Sequence, residues 1–281
     1  MSIENFEETI ESLRDKDKGC PWVKQQTHSS LKRYILEELY ECLEAIDDVS
    51  NASSKESQVK ANETLREELG DVLLQVMLHS KIAEENNAFS FNDVVNDINE
   101  KMIRRNPHVF ATAKAENTDE VDQNWEKIKK EEKKSRKSIF SGIPKELPSL
   151  ARAWKISKKA VRESFEWDEE KKLYEQLNSE IEEFKEISYN KTELTEEEKS
   201  EAELELGDIL FTVVNLARWF KIDPEEALRR TNNKFTERFD IMMNIVKATG
   251  SESLKDYKPN ELINFWQEAK QRQLALKSQT N

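Results

Sequence analysis

Apolar residues recur along this chain every three or four positions, the spacing that places side chains on one face of an α-helix. Two such series lie in the first half. They are Leu36, Leu39, Tyr40, Leu43 and Ile46, and then Leu65, Leu69, Val72, Leu73 and Val76. No segment shows the alternation of apolar and polar residues that is typical of a strand. The pattern predicts an all-α fold.

The second half repeats the pattern. Its two series are Ile181, Phe184 and Ile187, and then Leu206, Ile209, Leu210, Val213 and Val214. Amphipathic helices become stable when their apolar stripes are buried. We therefore expect each half to form a bundle of about four or five helices, in which the two stripes of that half pack against each other.

The chain also contains an internal repeat. Residues 67–74 read EELGDVLL and residues 204–211 read LELGDILF. In both places a Glu-x-x-Glu pair precedes the motif. A lysine and an arginine four residues apart follow it, and then a tryptophan that opens a basic segment. Several features in one order predict two homologous helical domains, here termed the first copy and the second copy.

Helix-breaking residues mark the boundary between the copies. Residues 136–150 contain Gly142, Pro144 and Pro148. We predict an N-terminal domain over residues 1–135, a linker over 136–150 and a C-terminal domain over 151–281. Within each copy a helix-poor stretch should separate the acidic motifs. These stretches are Ser50–Asn62 and residues 188–197, and the second ends in a capping box at Thr195.

The amino-acid composition limits which kinds of binding site the chain can form. The formal net charge is −13, and the 281 residues include five glycines, three histidines and two cysteines. An acidic chain disfavours binding to nucleic-acid phosphates, and scattered glycines exclude a glycine-rich phosphate loop. The sequence contains no apolar run of the roughly 18 residues that span a membrane, and no signal peptide. We expect a cytoplasmic protein that binds neither nucleic acid nor membrane.

Carboxylates are the candidate chemical groups. Residues three apart share a helix face, so each Glu-x-x-Glu or Glu-x-x-Asp pair projects together. If the paired helices pack, each copy gathers four carboxylates, which repel one another unless a cation neutralises them. Mg²⁺ suits oxygen ligands, with Mn²⁺ as an alternative ion. The candidates are Glu38, Glu41, Glu68 and Asp71 in the first copy, and Glu180, Glu183, Glu205 and Asp208 in the second.

Basic and aromatic residues follow these motifs. Lys101 and Arg105, like Lys234 and Arg238, lie four apart on one helix face, where phosphate oxygens would relieve their repulsion. A solvated basic face is the simpler interpretation of either pair alone. Trp125 and Trp266 are candidates for stacking on a base or ribose, although a single tryptophan more often serves packing.

These motifs resemble the MazG-type nucleoside triphosphate pyrophosphohydrolases over nearly the whole chain. In the first copy the resemblance rests on residues 19–22 (GCPW), 26–28 (QTH), 65–71 (LREELGD) and 103–110 (IRRNPHVF). In the second copy it rests on residues 207–211 (GDILF), 214–218 (VNLAR) and 234–239 (KFTERF).

The resemblance implies an all-α homodimer that cleaves nucleoside triphosphates between the α and β phosphorus atoms, giving monophosphate and pyrophosphate. It implies that the eight carboxylates named above bind Mg²⁺ and that those of the second copy are catalytic. It places the nucleotide against Lys234–Arg238, which includes Phe235, against Gln176–Glu180 and against Trp266. By the repeat, Lys101, Arg105 and Trp125 are their counterparts.

Three positions depart from the family pattern. Ser179 replaces the first glutamate of the second copy's acidic motif, Val23 stands where aspartate is usual, and Glu201 stands where a lysine often lies near the phosphates. We expect a broad nucleotide range and a role in housecleaning or control of the nucleotide pool. The alternatives are a pyrophosphatase specific for one deoxynucleotide or for phosphoribosyl-ATP, and a nucleotide sensor or scaffold with a degenerate site.

Overall fold

The computed structural model describes residues 3–132, 138–251 and 253–279, and within these ranges the secondary structure is helical without strands. The chain divides into two compact units, Met1–Lys134 and Ser135–Thr280. An all-α fold is thus confirmed. Within the described ranges, none of the helices combines the length and apolar character needed to cross a membrane.

The first unit contains seven helices in its described part. Two of them, α2 and α6, are single turns that begin at a proline, which suits the first position of a helix because its ring fixes φ. The helices are α1 (Ile3–Arg14), α2 (Pro21–Lys24), α3 (Lys32–Asn51), α4 (Lys55–Glu85), α5 (Phe91–Arg105), α6 (Pro107–Phe110) and α7 (Thr118–Glu132).

The second unit contains five α-helices and one 3₁₀ turn, Leu254–Asp256, in its described part. The helices are α8 (Ser149–Arg162), α9 (Glu170–Ser188), α10 (Glu196–Trp219), α11 (Pro224–Ala248) and α12 (Pro259–Gln279). Helix α8 begins two residues inside the predicted linker. The predicted boundary at residues 135 and 136, with Lys137, lies outside the described residues.

The sequence interpretation was right about one helix start and wrong about another. Thr195 caps α10, and its side chain and that of Glu198 exchange hydrogen bonds with each other's backbone, which confirms the predicted capping box. The stretch Ser50–Asn62 is not helix-poor, because α3 continues to Asn51 and α4 begins at Lys55. Ser54 and Ser57 form a capping box there, so a polar segment expected to be a loop opens the longest helix of its unit.

Each copy brings its two acidic helices side by side, α3 with α4 and α9 with α10. The predicted stripes, however, are only partly buried, with Val214 of α10 fully covered. The five apolar residues of the α3 stripe are 43% to 54% exposed, and Leu69, Leu206, Leu210 and Val213 are also exposed. Small residues such as Cys42, Ala45 and Ala61 are buried instead. One neighbouring helix covers only part of so wide an apolar face.

The buried core lies in a different place in each unit. In the first it joins α1, α2 and the turn before α3 to the second half of α4, through Ile10, Val23, Leu31, Leu78 and Ile82. Val23, where the resemblance implies aspartate, is therefore a core residue. In the second unit Met242 and Ile245 of α11 pack against Ala269 of α12.

Candidate metal and nucleotide site

The acidic residues of the first copy meet where α3 and α4 pack. Carboxylate oxygens of Glu38, Glu41 and Glu68 lie within 4.8 Å of one another. Burial raises the pKa of Glu38, and the charges of Asp71 and Glu41 raise it further. Burial also raises the pKa of Glu68, with Glu41 and Asp71 adding to the effect. Asp71 thus faces the cluster, although it is not one of the three whose oxygens meet.

The second copy repeats this arrangement on α9 and α10. Carboxylate oxygens of Glu180, Glu205 and Asp208 lie within 4.8 Å of one another. The pKa of Glu205 is raised by burial first, and then by the negative charges of Glu183, Asp208, Glu180 and Glu201. In each copy, therefore, three predicted ligands converge and the fourth acts on them through its charge.

Two neighbours on α9 orient the acids of the second copy. The side-chain amide of Gln176 donates to Oε1 of Glu180 at 2.5 Å, and the Ser179 hydroxyl donates to Oε1 of Glu183 at 3.0 Å. Ser179, where the resemblance implies a glutamate, therefore supplies a hydrogen bond at a position where a carboxylate would add repulsion. Gln176 was predicted from the resemblance, whereas the contact of Ser179 was not foreseen.

The donor set suits a divalent metal ion. Every converging group is a carboxylate, and hard cations such as Mg²⁺ or Ca²⁺ take oxygen ligands. Burial first, and then the neighbouring carboxylates, raise the pKa of Glu38 and of Glu205, and a cation bound between these acids would relieve their repulsion. Acidic groups with this composition are present in both copies.

A second set of candidates lies on α5 and α7 of the first copy and on α11 and α12 of the second. We term Lys101, Arg105 and Trp125 the first basic-aromatic set, and Lys234, Arg238 and Trp266 the second. The Arg238 guanidinium lies 5.0 Å from the centre of the Trp266 ring, and the Phe235 ring lies 5.0 Å from the same ring. Arg105 lies 5.2 Å from the centre of the Trp125 ring. Both arginines are thus held over a tryptophan face, a favourable cation–π geometry.

Among the described residues, no hydrogen bond or ion pair joins a basic-aromatic set to the acidic cluster of its own copy. The predicted site residues therefore form two groups in each copy, one on the acidic helices and one on the helices that follow. A triphosphate is long and highly charged, and it is the kind of ligand that engages a metal centre and separate cations together.

The comparison with known proteins decides the family. The MazG nucleotide pyrophosphohydrolase domain matches the chain twice, over residues 26–110 and 169–242. The chain belongs to the MazG family. The two matches confirm the tandem repeat, and they contain both acidic clusters together with Lys101, Arg105, Lys234 and Arg238. Trp125 and Trp266 lie beyond the matched segments.

Full-length relatives support the MazG assignment. The chain is 39% identical to the nucleoside triphosphate pyrophosphohydrolase/pyrophosphatase MazG of Thermotoga maritima, over 94% of this chain and 95% of that protein. It is 37% identical to the nucleoside triphosphate pyrophosphohydrolase of Escherichia coli K12, over 95% and 96%. It is also 44% identical to the protein YabN of Bacillus subtilis, over 95% of this chain but 51% of that protein.

The sequence alone did not predict which residues hold Arg105 and Arg238. In the second copy Gln273, which is 5% exposed, accepts a hydrogen bond from Nε of Arg238 at 3.1 Å. In the first copy Glu132 binds both Arg104 and Arg105. Both helix tails were treated alike as basic segments. A signal was nevertheless present in the sequence. Glu132 follows Trp125 by seven residues, and Gln273 follows Trp266 by the same number.

Proposed function

We propose that this chain hydrolyses nucleoside triphosphates to the monophosphate and pyrophosphate, with Mg²⁺ as the metal ion and nucleotide-pool housecleaning or control as its role. One observation carries the proposal. A chain of the MazG family, with pyrophosphohydrolase relatives along nearly its whole length, gathers the same carboxylate cluster twice on paired helices. Ribo- and deoxyribonucleotides with different bases are the proposed substrates.

In the second copy, Glu180, Glu183, Glu205 and Asp208 would hold the metal ion. When bound, Mg²⁺ neutralises negative charge on the phosphates and acts as a Lewis acid toward the phosphate and the attacking water. The water oxygen forms a bond to the α phosphorus, and the bond from that phosphorus to the bridging oxygen breaks, so that pyrophosphate leaves. Glu180 or Glu183 orients the water and accepts its proton.

The second basic-aromatic set holds the rest of the nucleotide. Lys234 and Arg238 bind phosphate oxygens through charge-assisted hydrogen bonds, which keeps the leaving pyrophosphate in line with the attacking water. Trp266 and Phe235 offer ring faces to the base or ribose, and Gln176 keeps Glu180 in position. Stacking tolerates different bases, which supports a broad nucleotide range.

The first copy would bind a metal ion through Glu38, Glu41, Glu68 and Asp71, with Lys101, Arg105 and Trp125 as its proposed nucleotide-binding residues. The domains are proposed to be residues 1–135 and 151–281, joined by 136–150.

We also propose that the chain forms a homodimer. The half-exposed apolar stripes of α3 and α10 support this, because monomers rarely expose broad apolar faces.

The experiment measures both products, pyrophosphate and monophosphate, from the eight common nucleoside triphosphates. Each reaction is run with Mg²⁺, with Mn²⁺ and with EDTA. We expect equal amounts of the two products with metal and none with EDTA. Release of inorganic phosphate and a diphosphate would contradict cleavage at the α phosphorus. Nucleotide binding without turnover would favour a sensor, and turnover of one nucleotide alone would favour the narrow enzyme.

A further inference from the structure

The last helices of the two copies differ at one matched position that contacts the predicted phosphate-binding arginine. Helix α7 carries Glu132 seven residues after Trp125, and α12 carries Gln273 seven residues after Trp266. Both side chains reach back to the preceding long helix and bind the arginine that lies over the tryptophan. The two copies therefore use an acid and an amide for the same contact.

In the first copy the acid takes up the charge of the arginine. Glu132 accepts from Nη2 of Arg105 at 2.6 Å and from Nε of Arg104 at 2.6 Å. These hydrogen bonds lower the pKa of Glu132 to about 2, so its carboxylate is charged at any ordinary pH. The Arg105 side chain is 11% exposed. Its cationic head thus already has an anionic partner where a phosphate would bind.

In the second copy the amide holds the arginine without neutralising it. Oε1 of Gln273 accepts from Nε of Arg238, while its Nε2 donates to Oε2 of Glu237 at 3.0 Å and to the backbone carbonyl of Lys234 at 3.2 Å. Glu237 stands where the first copy has Arg104. An amide can accept from Arg238 and donate to Glu237 at once, whereas a carboxylate can only accept.

A second matched pair shows the same exchange. In the first copy Lys129 forms an ion pair with Glu126 at 3.1 Å. The corresponding residues of the second copy are Lys270 and Gln267, four residues and one residue after Trp266. Within the described part of the chain, Lys270 forms no ion pair. Two glutamates that pair with cations of the first copy are thus glutamines in the second.

We propose that the residue seven positions after the tryptophan decides which copy can bind nucleotide phosphates. Gln273 is a positioning residue that presents Arg238 with its charge available, and Glu132 occupies Arg105 and closes the equivalent place in the first copy. This inference rests on the proposed function, because it names the specificity determinant of the same nucleotide site. It assigns the catalytic nucleotide to the second copy by a local electrostatic cause.

The test is Gln273→Glu, assayed for pyrophosphate release in Mg²⁺. The new carboxylate would pair with Arg238 and face Glu237, so we expect KM to rise about tenfold with kcat within about twofold, the size of one charged hydrogen bond. Gln271→Glu is the matched control, since it places the same charge at an exposed position of the same helix. Its KM should stay within about twofold, because solvent screens exposed charges.

A neutral variant separates charge from packing. Gln273→Met keeps the size of the side chain and the charge of Arg238, so its KM should rise less than about threefold, as expected for the loss of a neutral hydrogen bond. Thermal melting of all variants reports folding. An unchanged KM in Gln273→Glu would overturn the proposal. Equal KM changes in the Met and Glu variants would also overturn it, because they would indicate a purely structural role.

The reciprocal change tests the first copy. In an Asp208→Asn background, Glu132→Gln should add binding of α,β-methylene-ATP with Mg²⁺, measured by calorimetry, where the background alone binds more weakly. No gain in binding would contradict closure by Glu132. If the wild-type chain turns over no nucleotide, the proposed function fails by itself. The inference is then decided by the Kd of the same analogue for the wild-type and Gln273→Glu chains, and equal values would overturn it.

Discussion

Both copies contain a pair of acidic helices, but the helices that follow this pair pack differently in the two copies. In the second copy α11 and α12 form the buried cluster, with Met242 and Ile245 against Ala269. In the first copy the cluster lies at the other end, around Ile10 and Ile82, and the described side chains of α5 are all at least partly exposed. Trp266 therefore packs against the core of its copy, whereas α5 meets its core through Phe91, at the opposite end of the helix from Lys101 and Arg105.

For the proposed nucleotide hydrolysis, this difference separates two requirements, an acidic cluster and cations that are free to bind phosphate. A carboxylate cluster is present in both copies, so the acids alone do not distinguish them. Phosphate binding also requires cations held in a fixed place, because loosely held groups lose affinity to ordering entropy. Both arginines are held in place, but Glu132 takes up the charge of Arg105, whereas Gln273 leaves Arg238 charged on the packed α11 and α12 pair.

The largest expected effect comes from removing one acid in each copy. Asp208→Ala should lower kcat for pyrophosphate release by on the order of 100-fold, because even partners outside the ligand shell of a metal contribute up to about that much. Asp71→Ala should retain most of the activity. Melting temperatures with and without Mg²⁺ control for misfolding. The opposite ranking of the two variants would assign catalysis to the first copy.

The next effect concerns the two cores. Ile245→Ala and Ile82→Ala each remove a nearly buried side chain and should each lower the free energy of unfolding by about 3 kcal/mol. Only Ile245→Ala should also raise KM, because its cluster supports the second basic-aromatic set. Chemical denaturation measures stability, and initial rates well below the melting temperature measure KM. Equal KM values in the two variants would show that the α11–α12 core does not position the second basic-aromatic set.

A smaller effect is expected from the ion pair that closes the core of the first copy. Arg14 of α1 binds Glu85 at the end of α4 at 2.7 Å, and its hydrogen bond lowers the pKa of Glu85. Arg218 and Glu166 are a similar pair in the second copy. Glu85→Gln should lower the free energy of unfolding at pH 7 by about 1 kcal/mol, the upper range for a partly exposed pair.

The lowered pKa fixes how this effect depends on pH. The folded chain binds the Glu85 proton more weakly than the unfolded chain does, so the ion pair stabilises the fold fully above the ordinary value of 4.5. That contribution disappears as the pH falls through the lowered pKa. The gap between wild type and Glu85→Gln in urea unfolding should therefore narrow in acid, and a gap that widens there would refute the assignment.

The smallest effect should be the same in both copies. Gly70 and Gly207 lie inside α4 and α10, and an added Cβ at either would meet nothing within 4 Å. Alanine should therefore stabilise each helix by somewhat less than about 1 kcal/mol, because glycine loses more backbone freedom on folding. Calorimetry of the two single variants measures this. Destabilisation in either one would reveal that a further molecule covers that helix.

The sequence predicted well those features that depend on residues close together in the chain, such as which side chains share a helix face. The spacing of Glu180, Glu183, Glu205 and Asp208 placed them on two helix faces, and the repeat showed that the helices are paired. Local propensity was less reliable at Ser50–Asn62, because serine and asparagine favour both loops and helix caps. The cap at Ser54 decided that case, and the helix begins one residue later.

Contacts between distant residues were not predictable from spacing. The exposed stripe of α3 shows that periodicity identifies an apolar face but not what covers it. Likewise, Gln273 and Arg238 lie 35 positions apart, and only the packing of α11 on α12 brings them together. When the two copies are aligned on Trp125 and Trp266, Glu132 and Gln273 fall at the same position, and the difference between them can be seen in the sequence.

The uneven burial of α4 determines where the helix opens locally. Of its seven buried residues, all but Ala61 lie at Gln75 or beyond, and Glu85 fixes its end to Arg14. Its amides should therefore exchange with solvent at graded rates, slowly beyond Gln75 and quickly near Lys55, because exchange follows the free energy of local unfolding. Glu68 and Asp71 lie where the gradient is steep. An ion bound there would move the boundary of slow exchange toward the helix start, so that occupancy of the first copy can be read from hydrogen exchange without any turnover.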